Sequence, residues 1–294
     1  MKIVLIFLKS IFRSKTLLEL KNNIKVFVFE YILYMPVIYS DRNGLKFVLY
    51  PGQNARIYFE NKGNYEVLET LFCEKYIKPG MTIFDIGANI GMYSLPLSFQ
   101  VKPNGKVHAF EAELKNYERL RINIALNNFT NIKLNHNAVF SESVEVTLNV
   151  FPDSVNSWHS LGSPELPDPF NPGKLISPKE KQVVQGISID DYVSTWKIEK
   201  IHFMKIDVEG AEFDVLKGAS TSLEKGLIDV IMFEISLPQT KSMGHDHYQI
   251  FEYLNEKKMK IYSLSQIGEL VPFHSNQKLE IYQNFIACNS SIIL

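Results

Sequence analysis

The chain has 294 residues, with 31 Lys and Arg against 32 Asp and Glu and a hydrophobic fraction of 46%. That apolar content excludes a disordered chain, and a net charge of −1 supplies no general attraction to nucleic acid or anionic lipid. Two cysteines, Cys73 and Cys288, are too distant in sequence for a disulfide framework or metal-type spacing, so they read as small buried hydrophobes in a reducing, cytoplasmic setting.

Ile3 to Leu8 is apolar but short, and Lys9, Arg13 and Lys15 follow it at once. Ile24 to Tyr39 is interrupted by Glu30 and Pro36 and falls short of the ~18 apolar residues a membrane span needs. Residues 1–42 therefore read as an N-terminal helical extension packed on the domain formed by 43–294. Interleaved basic and large apolar residues keep a weak peripheral membrane contact through residues 1–40 as a second reading.

From about Tyr65 short apolar runs alternate with helical patterns, which predicts parallel strands joined by crossover helices. Met81 to Gly87 and Lys106 to Glu111 are strands. Ile90 to Val101 between them is a helix that Pro96 should kink or shorten. Leu114, Tyr117, Leu120 and Ile124 form a helical stripe. Ile132 to Val139 and Val144 to Val150 alternate like strands, and the Pro- and Gly-rich residues 163–181 read as a long inserted loop. Ile201 to Ile206 and Leu227 to Ile235 are strands, separated by a helix bearing Val215, Leu216, Ala219 and Leu223. Ile250 to Lys257 is predicted helical, and the segments around Ile261 and Ile281 to Cys288 extended.

The most informative segment is Phe84-Asp-Ile-Gly-Ala-Asn-Ile-Gly91, at a strand-to-helix turn. Gly87 permits a tight bend, and Gly91 permits close approach of a ligand or of the helix. Helix-start N–H groups there attract a phosphate or a carboxylate equally. Asp85, just before the glycines, would repel a pyrophosphate but attract an ammonium group. Glu111 ends the next strand 20 residues after Gly91, the spacing of a carboxylate that grips ribose hydroxyls. An amino acid head, a ribose and no phosphate together describe S-adenosylmethionine (SAM). Asn89 occupies the middle of the turn, where dinucleotide folds carry a glycine. Asn137 and Ala138 end the third strand, where the adenine should lie.

The chain resembles the FkbM family of SAM-dependent methyltransferases. The similar segments are Phe84-Asp-Ile-Gly-Ala-Asn-Ile-Gly-Met-Tyr-Ser94, Ala109-Phe-Glu111, Ser188-Ile-Asp-Asp191, Lys205-Ile-Asp-Val-Glu-Gly-Ala-Glu212 and Leu216-Lys-Gly-Ala219. The resemblance covers roughly Asn43 to Ile235. It implies a Rossmann-like class I methyltransferase fold, a doubly wound, mostly parallel seven-stranded sheet with a reversed last strand. It also implies O-methylation, often of a sugar hydroxyl or a natural-product scaffold. Pro96 and the 163–181 insertion depart from the family pattern.

Lys205, Asp207 and Glu209 sit at the end of the strand Ile201 to Ile206, in the crevice where doubly wound sheets bind ligands. Asp207 and Glu209 are the candidates to orient an acceptor hydroxyl and take its proton. Lys205 is either an ion-pair partner of Asp207 or a substrate contact, and Glu212 reads as a helix-start acid. Glu234, at the next strand end, would make a Mg²⁺ pair with Asp207 conceivable, but the resemblance implies no metal and none is expected. His245 and His247 flank Asp246, which reads as a helix cap, and His245 is the runner-up proton acceptor. Trp158 and His159 stand before the insertion, where an aromatic can stack on a sugar. The expected partner is a small-molecule or glycan acceptor, not nucleic acid. The competing readings are a nicotinamide-dependent oxidoreductase on a similar sheet and a non-catalytic membrane-associated scaffold.

Overall fold

The computed structural model describes residues 35–41, 43–51, 66–155, 157–168, 173–274, 277 and 279–290, with 24 and 28 as isolated positions. The helical extension expected at the N-terminus and its membrane contact thus lie almost wholly outside the described residues. At the described end of that segment the chain is a strand instead. β1 (Val37–Ser40) pairs antiparallel with β2 (Lys46–Leu49). Among the described residues, no helix is long and apolar enough to cross a membrane.

The chain continues through α1 (Val67–Tyr76), β3 (Thr82–Ile86), α2 (Ser94–Gln100), β4 (Lys106–Phe110), α3 (Leu114–Leu126) and β5 (Ile132–Asn135). Next come β6 (Ala138–Val139), β7 (Glu145–Val150), β8 (Leu166–Pro167), β9 (Leu175–Ile176), β10 (Glu180–Ile187), α4 (Ile189–Trp196) and β11 (Ile201–Ile206). The remainder is α5 (Glu212–Lys217), α6 (Ser220–Glu224), β12 (Ile228–Ser236), α7 (Leu237–Ser242), α8 (His247–Glu256), β13 (Met259–Leu264), β14 (Leu270–Pro272) and β15 (Tyr282–Asn289).

Eight strands form the main sheet in the order β14-β13-β15-β12-β11-β3-β4-β5. β5, β4, β3, β11 and β12 are parallel neighbours, and β15 runs against both β12 and β13. The expected seven-stranded core with its reversed last strand is present, and β14 adds an antiparallel edge. Strand alternation sends Phe84, Ile86, Met204, Ile206, Ile231 and Phe233 into the core cluster shared with α4–α6 and α8. Ile83, Phe203, Val230 and Met232 enter the opposite cluster, under α1 and α2. Both cysteines belong to that second cluster and are buried thiols.

Four expectations need correction in detail. The segment 90–101 is helical only from Ser94, so Pro96 lies in the first turn, where its missing N–H breaks no bond. Ile132 to Val139 is not one strand. Asn135 turns its amide onto the Ala109 carbonyl, and Ala138–Val139 leaves for a second sheet, β6-β10-β7. The expected long loop 163–181 holds the short β8–β9 pair, and at Glu180 it enters β10, an eight-residue strand. The helix expected from Ile250 begins at His247, where Asp246 and Gln249 form a reciprocal capping box.

Candidate active site

A cleft holding about 1170 Å³ of empty space, partly open to solvent, lies at the carboxyl ends of β3, β4 and β11. Asp85, Gly87, Asn89, Glu111, Asn137, Ala138, Lys205, Asp207 and Glu209 all line it. Gly91 does not. A Cβ there would fall 2.4 Å from Leu95 and 2.5 Å from Leu120, so this glycine admits the helix and not a ligand.

Gly87 is required by the backbone. Its φ is +80°, and a Cβ would stand 1.7 Å from the Asp207 carbonyl oxygen. The bend after β3 is thus wedged against the bend after β11, whose Asp207 N–H donates to the Ile86 carbonyl at 3.0 Å. Four of the turn's amides are spoken for. Gly87 and Ala88 donate to the Phe110 carbonyl, Gly91 to the Ala88 carbonyl, and Asn89, with φ +47°, to Glu111 Oε2 at 2.7 Å. Four of the amides expected to wait for an anion are thus taken up within the protein. This turn is not a phosphate cradle, which argues against a dinucleotide.

Glu111 is buried, and its other oxygen accepts from the Glu113 N–H at 2.9 Å. Each carboxylate oxygen keeps a lone pair for ribose hydroxyls. Burial, against those two amide donors, pushes this carboxyl up to about 8. Asp85 is 1% exposed; Oδ2 accepts from the Ser94 hydroxyl at 2.5 Å and, among the described residues, Oδ1 has no hydrogen-bond partner. Burial raises its pKa, opposed by Lys205 and Ser94. A buried, orphaned carboxylate oxygen lining a cleft suits an ammonium group, so the residues present fit SAM at both ends.

Lys205 sits beside Asp85 in the β3–β11 register, 4% exposed. Its Nζ lies 2.7 Å from Asp207 Oδ2 and 4.7 Å above the Tyr93 ring. Burial disfavours the ammonium, but Asp207, Glu66 and Asp85 outweigh it and hold Lys205 above the ordinary lysine range. Glu66 accepts from the Tyr93 hydroxyl at 2.5 Å. Glu209 has φ +54°, and its Oε2 accepts from Gln239 Nε2 at 3.0 Å. Burial first, then Asp207, Glu234 and Glu212, push the Glu209 carboxyl well above the usual range. Glu212 is buried and holds the same bend by accepting from the Val208 and Gly210 amides, a firmer role than a helix-start acid. Among the described residues, no group of three His, Cys, Asp or Glu is placed to hold a metal ion.

His245 is drawn away from this cluster. Its Nε2 lies 2.7 Å from Asp214 Oδ2, and it does not line the cleft. That pairing holds the runner-up proton acceptor outside the cleft lining. Glu66, Tyr93 and Gln239 were not singled out from sequence. Only Tyr93 carried a signal, its place inside the glycine motif.

Burial lifts Glu111 to about 8, Glu212 to about 7 and Glu234 to about 9, from an ordinary 4.5. Between roughly pH 5 and 9 the folded protein thus holds protons that the unfolded chain has released, so stability falls as pH rises. The melting temperature of the ligand-free protein is expected to drop by several degrees from pH 6 to pH 9. A rise over that interval contradicts the assignment.

The sheet order with a reversed strand beside β12, and a ligand cleft at the switch between β3 and β11, define a class I methyltransferase. A family model described as the methyltransferase FkbM domain matches residues 85–261. The chain is 26% identical over 198 residues to the hexuronic acid methyltransferase AglP of Haloferax volcanii, spanning 67% of this chain and 70% of that one. It is 25% identical over 166 residues to Methyltransferase 1 of Beauveria bassiana, spanning 52% of this chain but only 64% of that relative. Among solved structures it is similar to a methyltransferase FkbM from Methylobacillus flagellatus, with 12% identity, a TM-score of 0.44, and coverage of 98% of this chain and 59% of that one. The chain belongs to the FkbM family of SAM-dependent methyltransferases.

Proposed function

We propose that the protein methylates a hydroxyl of a sugar, glycan or natural-product acceptor. The observation that carries this reading is the acidic end of the cleft, where Asp207 is paired with Lys205 and shares the lining with Glu209, whose carboxyl burial pushes above the usual range. The name of the Haloferax relative supports a sugar acceptor.

Bound SAM supplies a methyl carbon already activated by a sulfonium. The chain's own task is alignment, which can contribute ~7–11 kcal/mol, and proton removal. Asp85 meets the ammonium of the cofactor and Glu111 takes the ribose hydroxyls, while Asn137 and Ala138 border the adenine. Glu209, on the same lining, orients the acceptor hydroxyl. Asp207 accepts the hydroxyl proton during attack, and Lys205 positions it.

Incubation with methyl-labelled SAM and a panel of neutral hexosides, hexuronic acids and cell-extract fractions tests the reading. Label is expected in an ether that survives mild alkali. Label released by alkali would mark a methyl ester, and so a carboxyl acceptor, and would overturn the hydroxyl assignment.

A further inference from the structure

The segment 157–162 forms one wall of the cleft, with Ser157, His159 and Leu161 on its lining. It is pinned on several sides. Ser160 exchanges backbone hydrogen bonds with Asn149 at 2.8 and 3.2 Å, and Asn149 Nδ2 donates to the Gly162 carbonyl at 2.6 Å. The Ser160 hydroxyl, fully buried, donates to the Glu209 carbonyl at 2.6 Å. A wall held this way presents its side chains in one arrangement.

His159 is the polar ring on that wall. The Phe151 N–H donates to His159 Nδ1 at 3.0 Å. An acceptor nitrogen carries no hydrogen, so in the neutral ring the proton resides on Nε2. Among the described residues, no acceptor takes it. Burial lowers the His159 pKa to about 4, so the ring is a neutral donor at physiological pH. The charges that bear on it are Glu113, Lys179, Asp153 and Arg119. Asp153, two residues past Phe151, pairs with Lys179 and with Arg119 of α3. The Glu113 N–H just before that helix donates to Glu111, which puts the ring toward the Glu111 end of the cleft. Those that bear on Lys205 are Asp207, Glu66 and Asp85, at the other end.

We propose that His159 donates a hydrogen bond from Nε2 to the adenosyl part of the cofactor, to a ribose oxygen or a purine nitrogen. The proposal rests on the SAM reading of the cleft and adds to it a cofactor-binding residue from outside the glycine-motif strands. The ring cannot serve as the reaction's base, because protonation would fall on Nδ1 and expel the Phe151 amide.

Two substitutions separate the ring's two nitrogens. His159→Asn keeps an acceptor near the δ position for Phe151 and loses the ε donor. His159→Gln returns an N–H at the ε position. S-adenosylhomocysteine binding, measured by calorimetry without any acceptor, is expected to weaken about three- to tenfold in His159→Asn and to stay within about twofold of wild type in His159→Gln. In ring-labelled wild-type protein, ¹⁵N NMR is expected to show the Nε2–H tautomer, with the Nε2 resonance moving on addition of S-adenosylhomocysteine. An Asn variant that binds as tightly as wild type, a Gln variant that binds no better than Asn, or an Nε2 resonance that does not move overturns the proposal. Wild-type protein that binds no S-adenosylhomocysteine refutes the cofactor reading as well, which keeps the two failures apart.

Discussion

Gly87→Ala is expected to destabilise the protein by about 3–5 kcal/mol and to abolish cofactor binding in whatever fraction remains folded. Two effects add. A φ of +80° strains any residue with a Cβ, and the new methyl would stand 1.7 Å from the Asp207 carbonyl oxygen. That oxygen belongs to backbone, so no rotamer relieves the contact. The two bends would have to separate, which moves Asp85 on one side of the cleft and Lys205 with Asp207 on the other. Urea unfolding together with S-adenosylhomocysteine titration measures both consequences. Gly91→Ala provides the comparison. Its Cβ would press only on the side chains of Leu95 and Leu120, so stability should fall while the cofactor wall stays in place, although its φ of +97° adds backbone strain. Wild-type stability and binding in Gly87→Ala would contradict the close apposition of the two bends.

Asp207→Asn is expected to lower methyl transfer by ~10²–10⁴-fold while leaving S-adenosylhomocysteine affinity within a few-fold of wild type. The side chain stays the same size and can still meet Lys205 through its carbonyl oxygen, but it no longer accepts a proton. Glu209→Gln should behave differently. Glu209 orients the acceptor by hydrogen bonding, and a glutamine keeps the side-chain length and an oxygen to accept from Gln239. A loss below about tenfold is expected there. Single-turnover rates with saturating labelled SAM separate the two. Equal losses in both variants would contradict the division of labour between the two acids, and full activity in Asp207→Asn would remove Asp207 from proton transfer.

The sheet was legible because its central strands are predominantly apolar runs closed by Gly, Asp or Glu, as in Ile83 to Gly87 and Ile201 to Asp207. Such runs stay buried on both faces in a parallel sheet. β10 was not legible. Glu180, Lys181 and Gln185 stay exposed, and the strand buries Val184 but is held largely by ladders to β6 and β7. A hydrophobic pattern carries no signal for that. The site divided along the same line. Asp85, Glu111, Lys205 and Asp207 sit at strand ends, and the glycine turn announces where strands end. Glu66 reaches Tyr93 only through the packing of α1 on the sheet, and Gln239 reaches Glu209 from α7. Contacts of that kind span dozens of residues and leave no local trace. The turn itself was half read. Its glycines were visible, but the capture of its amides by Phe110, Ala88 and Glu111 requires β4 to lie alongside.

The central claim is that the side chains of Asp85 and Glu111 grip the two ends of SAM. Calorimetric titration of wild type and of Glu111→Ala with SAM tests it most directly, with NADH as the control ligand. Wild type is expected to bind SAM and not NADH, and Glu111→Ala to lose at least tenfold in SAM affinity while remaining folded. Equal SAM affinity in the two proteins, or preferential binding of NADH, would contradict the account.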